Sequence, residues 1–244
     1  LPLTANSACT NKIDQSKVIL FIDTNAAKSE IETAEKSACL RGERLVVIPK
    51  SSSELDQLSI RRAAAVKDVR TCTEKCSSEN KNCQNACGQK LITLAQIRKE
   101  IETKFGDASI NNLTLRKELQ KLQNEASKVV SLVISGHDGG GSFSGLKGGL
   151  SYGDIKSEFD NFPKVNQIRS AMLLGCYTNV KEQADKWKRG MPGLRFIAGY
   201  DDSAPLANAS AGHEFLSQVL DNEGRILEQM DAKNLQSIIK TSIS

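Results

Sequence analysis

Residues 129–145, VVSLVISGHDGGGSFSG, set an apolar block against a His-Asp pair and three consecutive glycines. The first seven residues read as a strand buried on both faces, the kind a parallel sheet requires. The glycines mark a tight turn. Strand and turn together leave His137 unexplained. It is one of only two histidines in 244 residues, and it sits where the two features meet.

The same apolar pattern recurs along the chain. KVILFID (17–23), RLVVIP (44–49, closed by proline), SAMLLGC (170–176) and LRFIAGY (194–200) each read as a buried strand. Helical periodicity fills the intervals: 25–42 with a stop at Gly42, 113–128, 153–162 with Asp154 in its N-cap region, and 179–190. From about residue 209 the pattern is helical in three pieces, AGHEFLSQVL, GRILEQM and NLQSIIKTS. His213 lies in the first of these and reads as structural or exposed. The glycine-rich stretch 139–152 reads as a small hairpin around Phe143 and Leu150. Strands alternating with helices predict one three-layer α/β domain over residues 1–244, with a largely parallel sheet and right-handed crossovers.

Composition bounds the partners. The 33 basic and 29 acidic residues leave a net charge of +4, too scattered for a nucleic-acid surface. The densest basic stretches, KDVR (67–70) and KWKR (186–189), fall in helical patterns and read as solvated faces. No apolar run approaches the roughly 18–20 residues of a membrane span. The chain opens on Leu1 and not on Met, which accords equally with a removed leader and with a chosen boundary.

Seven cysteines speak to compartment. Four of them form CTEKCSSENKNCQNAC (72–87), two C-x3-C pairs separated by a turn signal and flanked by helix formers. On a helix, positions i and i+4 share a face. Two antiparallel helices over 51–106 would thus bring Cys76 to Cys83 and Cys72 to Cys87, stapling a hairpin inserted between sheet elements. A four-thiolate zinc site also uses paired cysteines, although structural zinc pairs more often stand two apart on a knuckle. Cys9 and Cys39 would form a third bridge. Three bridges leave Cys176 over, and they favour an exported setting, periplasmic or extracellular.

In open α/β sheets the ligand site lies beyond the carboxyl ends of the strands. His137 falls just past one strand and Cys176 at the end of another. If those strands are neighbours, imidazole and thiol share one crevice, as a nucleophilic cysteine and its base require. The glycines beside the histidine, Gly139 first, would offer free N–H groups to an oxyanion.

The blocks LVISGHDGGG and MLLGCYTN, with KVILFID and LRFIAGY, resemble the caspase-like fold of the clan CD cysteine peptidases: caspases, metacaspases, clostripain-like enzymes, gingipains and separase. The resemblance spans most of the chain apart from the hairpin and the last helices. It implies a mostly parallel sheet of about six strands flanked by helices. The implied activity is peptide-bond hydrolysis by a Cys176–His137 dyad, with protein or peptide as substrate and no metal or other cofactor. The N–H groups of Asp138 and Cys176 take the oxyanion role by the same resemblance. Two positions depart from the family pattern. Asp138 stands where glycine is usual, and Gly175 where alanine is frequent. A carboxylate beside an oxyanion opposes its charge, and this departure favours an alternative reading, an inactive binding or scaffold domain whose hairpin presents the recognition surface. A thiol-redox or zinc protein built on the C-x3-C pairs is a third reading. Acidic residues at the strand ends would select Lys or Arg before the scissile bond. Asp23, Asp201 and Asp202 are the candidates, and Asp23 reads equally well as a cap of the following helix.

Overall fold

A computed structural model describes residues 11–50, 53–76, 80–105, 110–205 and 209–228. In chain order the elements are β1 (Asp14–Asp23), α1 (Lys28–Arg41), β2 (Glu43–Ile48), α2 (Ser53–Lys75), α3 (Lys81–Phe105), α4 (Asn112–Asn124), β3 (Lys128–Ser135), β4 (His137–Asp138), β5 (Ser142–Gly145), β6 (Gly148–Ser151), α5 (Tyr152–Asn161), β7 (Asn166–Leu174), α6 (Lys181–Gly190), β8 (Phe196–Gly199) and α7 (Ser210–Glu228). β2, β1, β3, β7 and β8 form a sheet in that order, every neighbouring pair parallel. The expected sheet had about six strands; among the described residues it has five. The glycine-rich segment folds as a separate antiparallel sheet, β4-β5-β6.

Strand alternation sorts the core into two layers. Val18, Leu20 and Ile22 of β1 face one side with Leu115, Leu119, Ile155, Phe159 and Trp187 from α4, α5 and α6. Ile19 and Phe21 face the other side with Ala34 and Ala38 of α1 and Phe215, Leu216 and Leu220 of α7. A sheet covered on both faces explains why its strands read as continuous apolar runs. Gly42 ends α1 in the left-handed region at φ 64°, donating its N–H to the carbonyls of Ala38 and Cys39. α5 begins with a capping box in which Ser151 is the N-cap and Asp154 its N3 partner, which refines the expected role of Asp154.

The C-terminal region departs from the sequence reading. The first piece and the second as far as Glu228 form one helix, α7, that runs through Gly224 without a break; Gln229 and Met230 lie outside the described residues. A stripe of Phe215, Leu216, Val219, Leu220, Glu223, Ile226 and Leu227 is buried along it, and that packing outweighs the cost of about 1 kcal/mol for one interior glycine. The third piece, NLQSIIKTS, lies outside the described residues. Glu223 is fully buried in this stripe. Its carboxylate accepts hydrogen bonds from Ser131 of β3 (2.8 Å) and Ser170 of β7 (2.7 Å) and pairs with Arg41, which also pairs with Glu43 at 2.7 Å. A buried carboxylate persists only when donors surround it in this way.

α2 and α3 form the inserted hairpin. Cys72 and Cys87 are bridged with Cα atoms 5.6 Å apart, and Cys76 and Cys83 with Cα atoms 5.7 Å apart. These are the two pairs that the i, i+4 spacing predicts. The Cys9–Cys39 bridge lies outside the described residues, because Cys9 is not among them. Cys76, Cys83 and Cys87 also lie close enough in space to share a metal ion, so the zinc alternative has a direct check. Among the described residues, no helix is long and apolar enough to cross a membrane.

Glu223→Ala is expected to lower the unfolding free energy by about 2–4 kcal/mol, because it leaves the buried Ser131 and Ser170 hydroxyls without their acceptor and partly buried Arg41 with Glu43 alone; urea unfolding without reductant measures this. In the denatured, unreduced protein, Cys72, Cys76, Cys83 and Cys87 are expected to resist alkylation, and metal analysis is expected to find no stoichiometric zinc.

Candidate active site

The condition set by the sequence is met: β3 and β7 are neighbours. Their register pairs Ser135 with Leu174 at the carboxyl ends. His137 and Cys176 each stand two residues beyond that pair, so the two strands deliver them flush to one edge. Contact between the flanking residues is close. A Cβ on Gly175 would lie 2.9 Å from the Gly136 carbonyl oxygen and 3.0 Å from Asp138 Cβ. A Cβ on Gly136 would in turn collide with the Thr24 hydroxyl. Glycine at 136 and 175 is therefore what lets the histidine and cysteine turns meet. The alanine frequent in the resembled family would not fit at 175 with this backbone.

His137 is exposed and Cys176 is partly buried; Cys176 is the free cysteine among the described residues. Its sulfur accepts the Ala204 N–H at 3.4 Å. The turn carrying it is held from below. Tyr177 adopts φ 56°, the left-handed region that few non-glycine residues enter, and donates its N–H to the Asp202 carbonyl at 2.9 Å. Thr178 is buried, and its hydroxyl reaches the carbonyls of Leu173 (2.7 Å) and Gly175 (3.0 Å) while accepting the Tyr200 N–H (3.2 Å). Sequence reasoning missed Thr178. The signal was a small hydroxyl residue two places after a strand-end cysteine, a position where the chain must reverse.

Asp138 turns its carboxylate into the glycine loop, accepting the N–H groups of Gly141 (2.7 Å) and Ser142 (3.2 Å). The acid is thus a turn cap. Gly139 is corrected as an oxyanion donor, since its N–H is given to the Ser142 carbonyl at 3.1 Å, closing the β4–β5 hairpin. Antiparallel pairs alternate between bonded and non-bonded. The bonded 139–142 pair makes the Asp138–Phe143 pair non-bonded, so the Asp138 N–H faces away from β5. That nitrogen lies 3.2 Å from where a Gly175 Cβ would be.

The acidic candidates divide. Asp23 is corrected as a substrate ligand. It is fully buried, accepts the N–H groups of Asn25 (3.1 Å) and Ala27 (3.0 Å), and pairs with Lys147 at 2.8 Å. Its charge is consumed, as the capping reading expected. Asp201 and Asp202 are exposed just before Ala204, on the segment that docks against the Cys176 turn. Asp201 accepts a hydrogen bond from the Asn179 side chain at 3.0 Å. His213 is half-buried on α7, a structural position. A cavity of about 620 Å³ lined by Arg41, Glu43, Arg169, Arg195 and Glu223 opens at the amino ends of the strands, the opposite edge from Cys176.

Gly175→Ala is expected to cost about 1–3 kcal/mol, since its close neighbours are main-chain atoms and a Cβ, none of which can turn aside without moving the backbone. Gly139→Ala, where a Cβ meets nothing within 4 Å, is expected to stay within about 0.5 kcal/mol of the parent. Urea unfolding of the two variants distinguishes a steric constraint at 175 from a general demand for glycine. No family model, curated protein or solved structure matches this chain.

Proposed function

We propose that the chain is a cysteine endopeptidase with the caspase-like fold of clan CD, acting through Cys176 and His137. The observation that carries the reading is the β3–β7 register, which brings both residues to one sheet edge at equal distance from their last paired residues. The strand order β2-β1-β3-β7-β8, with the histidine after the third and the cysteine after the fourth, also supports it.

The chemistry follows from the groups at that edge. The Cys176 thiolate attacks the scissile carbonyl carbon, and the displaced π-electron pair moves to oxygen. The N–H groups of Asp138 and Cys176 receive that oxyanion. Collapse breaks the C–N bond while His137 gives its proton to the leaving amine, leaving an acyl-thioester. His137 then takes a proton from water, which hydrolyses the thioester and restores the thiolate. No cofactor enters these steps. Exposed Asp201 and Asp202 bias the site toward a Lys or Arg side chain on the amino side of the cut. The two bridged cysteine pairs support an exported setting, periplasmic or extracellular. The scaffold alternative draws on Asp138, whose carboxylate accepts the Gly141 and Ser142 N–H groups in the glycine loop.

The test is alkylation of the unreduced protein by iodoacetamide across pH, with peptide mapping, on wild type and His137→Ala. Cys176 in wild type is expected to react about tenfold faster near neutral pH than in the variant. Overlapping profiles with the pH dependence of an ordinary thiol would remove the dyad. With an active preparation, Cys176→Ala is expected to lower hydrolysis of peptides cut after Lys or Arg by about a thousandfold or more.

A further inference from the structure

Lys147 lies in the turn between β5 and β6, inside a glycine-rich stretch where a lysine would ordinarily reach solvent. Its side chain is instead fully buried, with Nζ 2.8 Å from Asp23 at the end of β1 and 2.8 Å from Asp56 near the start of α2. Burial pulls the ammonium down, but the two carboxylates outweigh it and its pKa lies above that of an ordinary lysine. The main chain of the same turn is held three times more. Lys147 N–H donates to the Thr24 carbonyl at 2.8 Å, Ile110 N–H donates to the Lys147 carbonyl at 2.6 Å, and Arg62 of α2 donates to the Leu146 carbonyl at 2.9 Å. Gly149 N–H returns a bond to the Ile110 carbonyl at 3.1 Å.

These contacts share a direction. α2 is the first helix of the inserted hairpin, and Ile110 follows the second. Both ends of the insertion therefore grip one turn, and that turn is the tip of the small sheet whose first strand carries His137. β5 pairs Ser144 with His137, and β6 pairs Gly149 with Ser144. The turn is thus connected to the His137 position through the β5–β6 and β4–β5 pairings. Nothing else about a polar, disulfide-stapled hairpin requires a buried lysine at its root.

With Cys176 and His137 taken as the reacting pair, as above, we propose that the inserted hairpin is a control arm for the histidine, and that Lys147, held between Asp23 and Asp56, is the positioning residue that fixes His137 relative to Cys176. Lys147 touches no reacting atom. It works by locking the β5–β6 turn against the end of β1, and Asp56 supplies the arm's share of the lock. About 24 Å of helix separates Asp56 from Cys72, so a partner or a reductant acting on the stapled tip would reach the site through this joint.

Asp56→Asn is the informative variant, because Asp56 is partly exposed and the amide keeps an acceptor for Lys147 while removing the charge. Asp56→Ala removes both. Both are compared with wild type and His137→Ala in the alkylation profile, with thermal unfolding as the check on fold and the imidazole NMR titration of His137 as a direct report of its surroundings. The expected result is a neutral-pH rate for Cys176 reduced about threefold to fivefold in Asp56→Ala, within the roughly tenfold loss of His137→Ala, less in Asp56→Asn, with the pH profile moved toward that of His137→Ala and the His137 titration displaced. Lys147→Arg, which retains the charge, is expected to recover more of the wild-type profile than Lys147→Met. Wild-type profiles and an unmoved His137 titration in the folded Asp56 variants would overturn the control-arm role while leaving the dyad intact. Identical profiles for wild type and His137→Ala would sink the dyad, and this role with it.

Discussion

The parallel ladder between β3 and β7 is the constraint on which the rest depends. Beyond the register shift between Val129 and Ser131, residues 132–134 and 171–174 alternate between two covered faces, so a slip of one residue would turn these core side chains to the wrong layer. That demand for correct burial also fixes where His137 and Cys176 leave the sheet. Because Ser135 pairs with Leu174, the residues two places further on, His137 and Cys176, leave the sheet together. The site is placed by the core before any polar group acts in it.

Once the strands end, the apolar rule no longer applies and polar contacts set the geometry. Gly136 and Gly175 let two main chains touch where a side chain would part them. The Thr178 hydroxyl fixes the cysteine turn on one side, and the Asp138 carboxylate fixes the histidine turn on the other. Each holds a turn by closing amide or carbonyl groups that would otherwise lie unpaired beside the core. These contacts organise the backbone at the strand ends and leave His137 exposed and Cys176 partly buried.

What was legible in the sequence followed from periodicity. KVILFID, VVSLVIS and AMLLG announced buried parallel strands because a two-sided environment erases alternation, and the C-x3-C pairs announced their pairing because 3.6 residues per turn puts i and i+4 on one face. The flush placement of His137 and Cys176 needed only that their strands be adjacent. What was illegible depended on contacts between distant segments. Asp138 read as a charge near an oxyanion, yet its side chain answers to Gly141 and Ser142. Gly139 read as a free donor, yet its N–H closes a hairpin whose register no single residue declares. Lys147 carries no local sign of its burial, since Asp23 and Asp56, which converge on it, lie far away in the chain.

Two groups of buried charges stand at opposite ends of one sheet. At the amino ends, Glu223 draws together Ser131, Ser170 and Arg41, joining α7 to two central strands and to the end of α1. At the carboxyl ends, Lys147 draws together Asp23 and Asp56, joining the small sheet to β1 and to α2. Replacing such groups with apolar residues would often raise stability, so stability alone is a poor reason for their presence. A buried ion accepts only the geometry that satisfies it, whereas an apolar contact tolerates sliding. Both groups stand where elements outside the ladder must be held to it: a long C-terminal helix at one edge, and at the other an insertion of some fifty residues and the hairpin that carries His137. The ladder sets where the strands lie, and the buried ions set where everything attached to them lies.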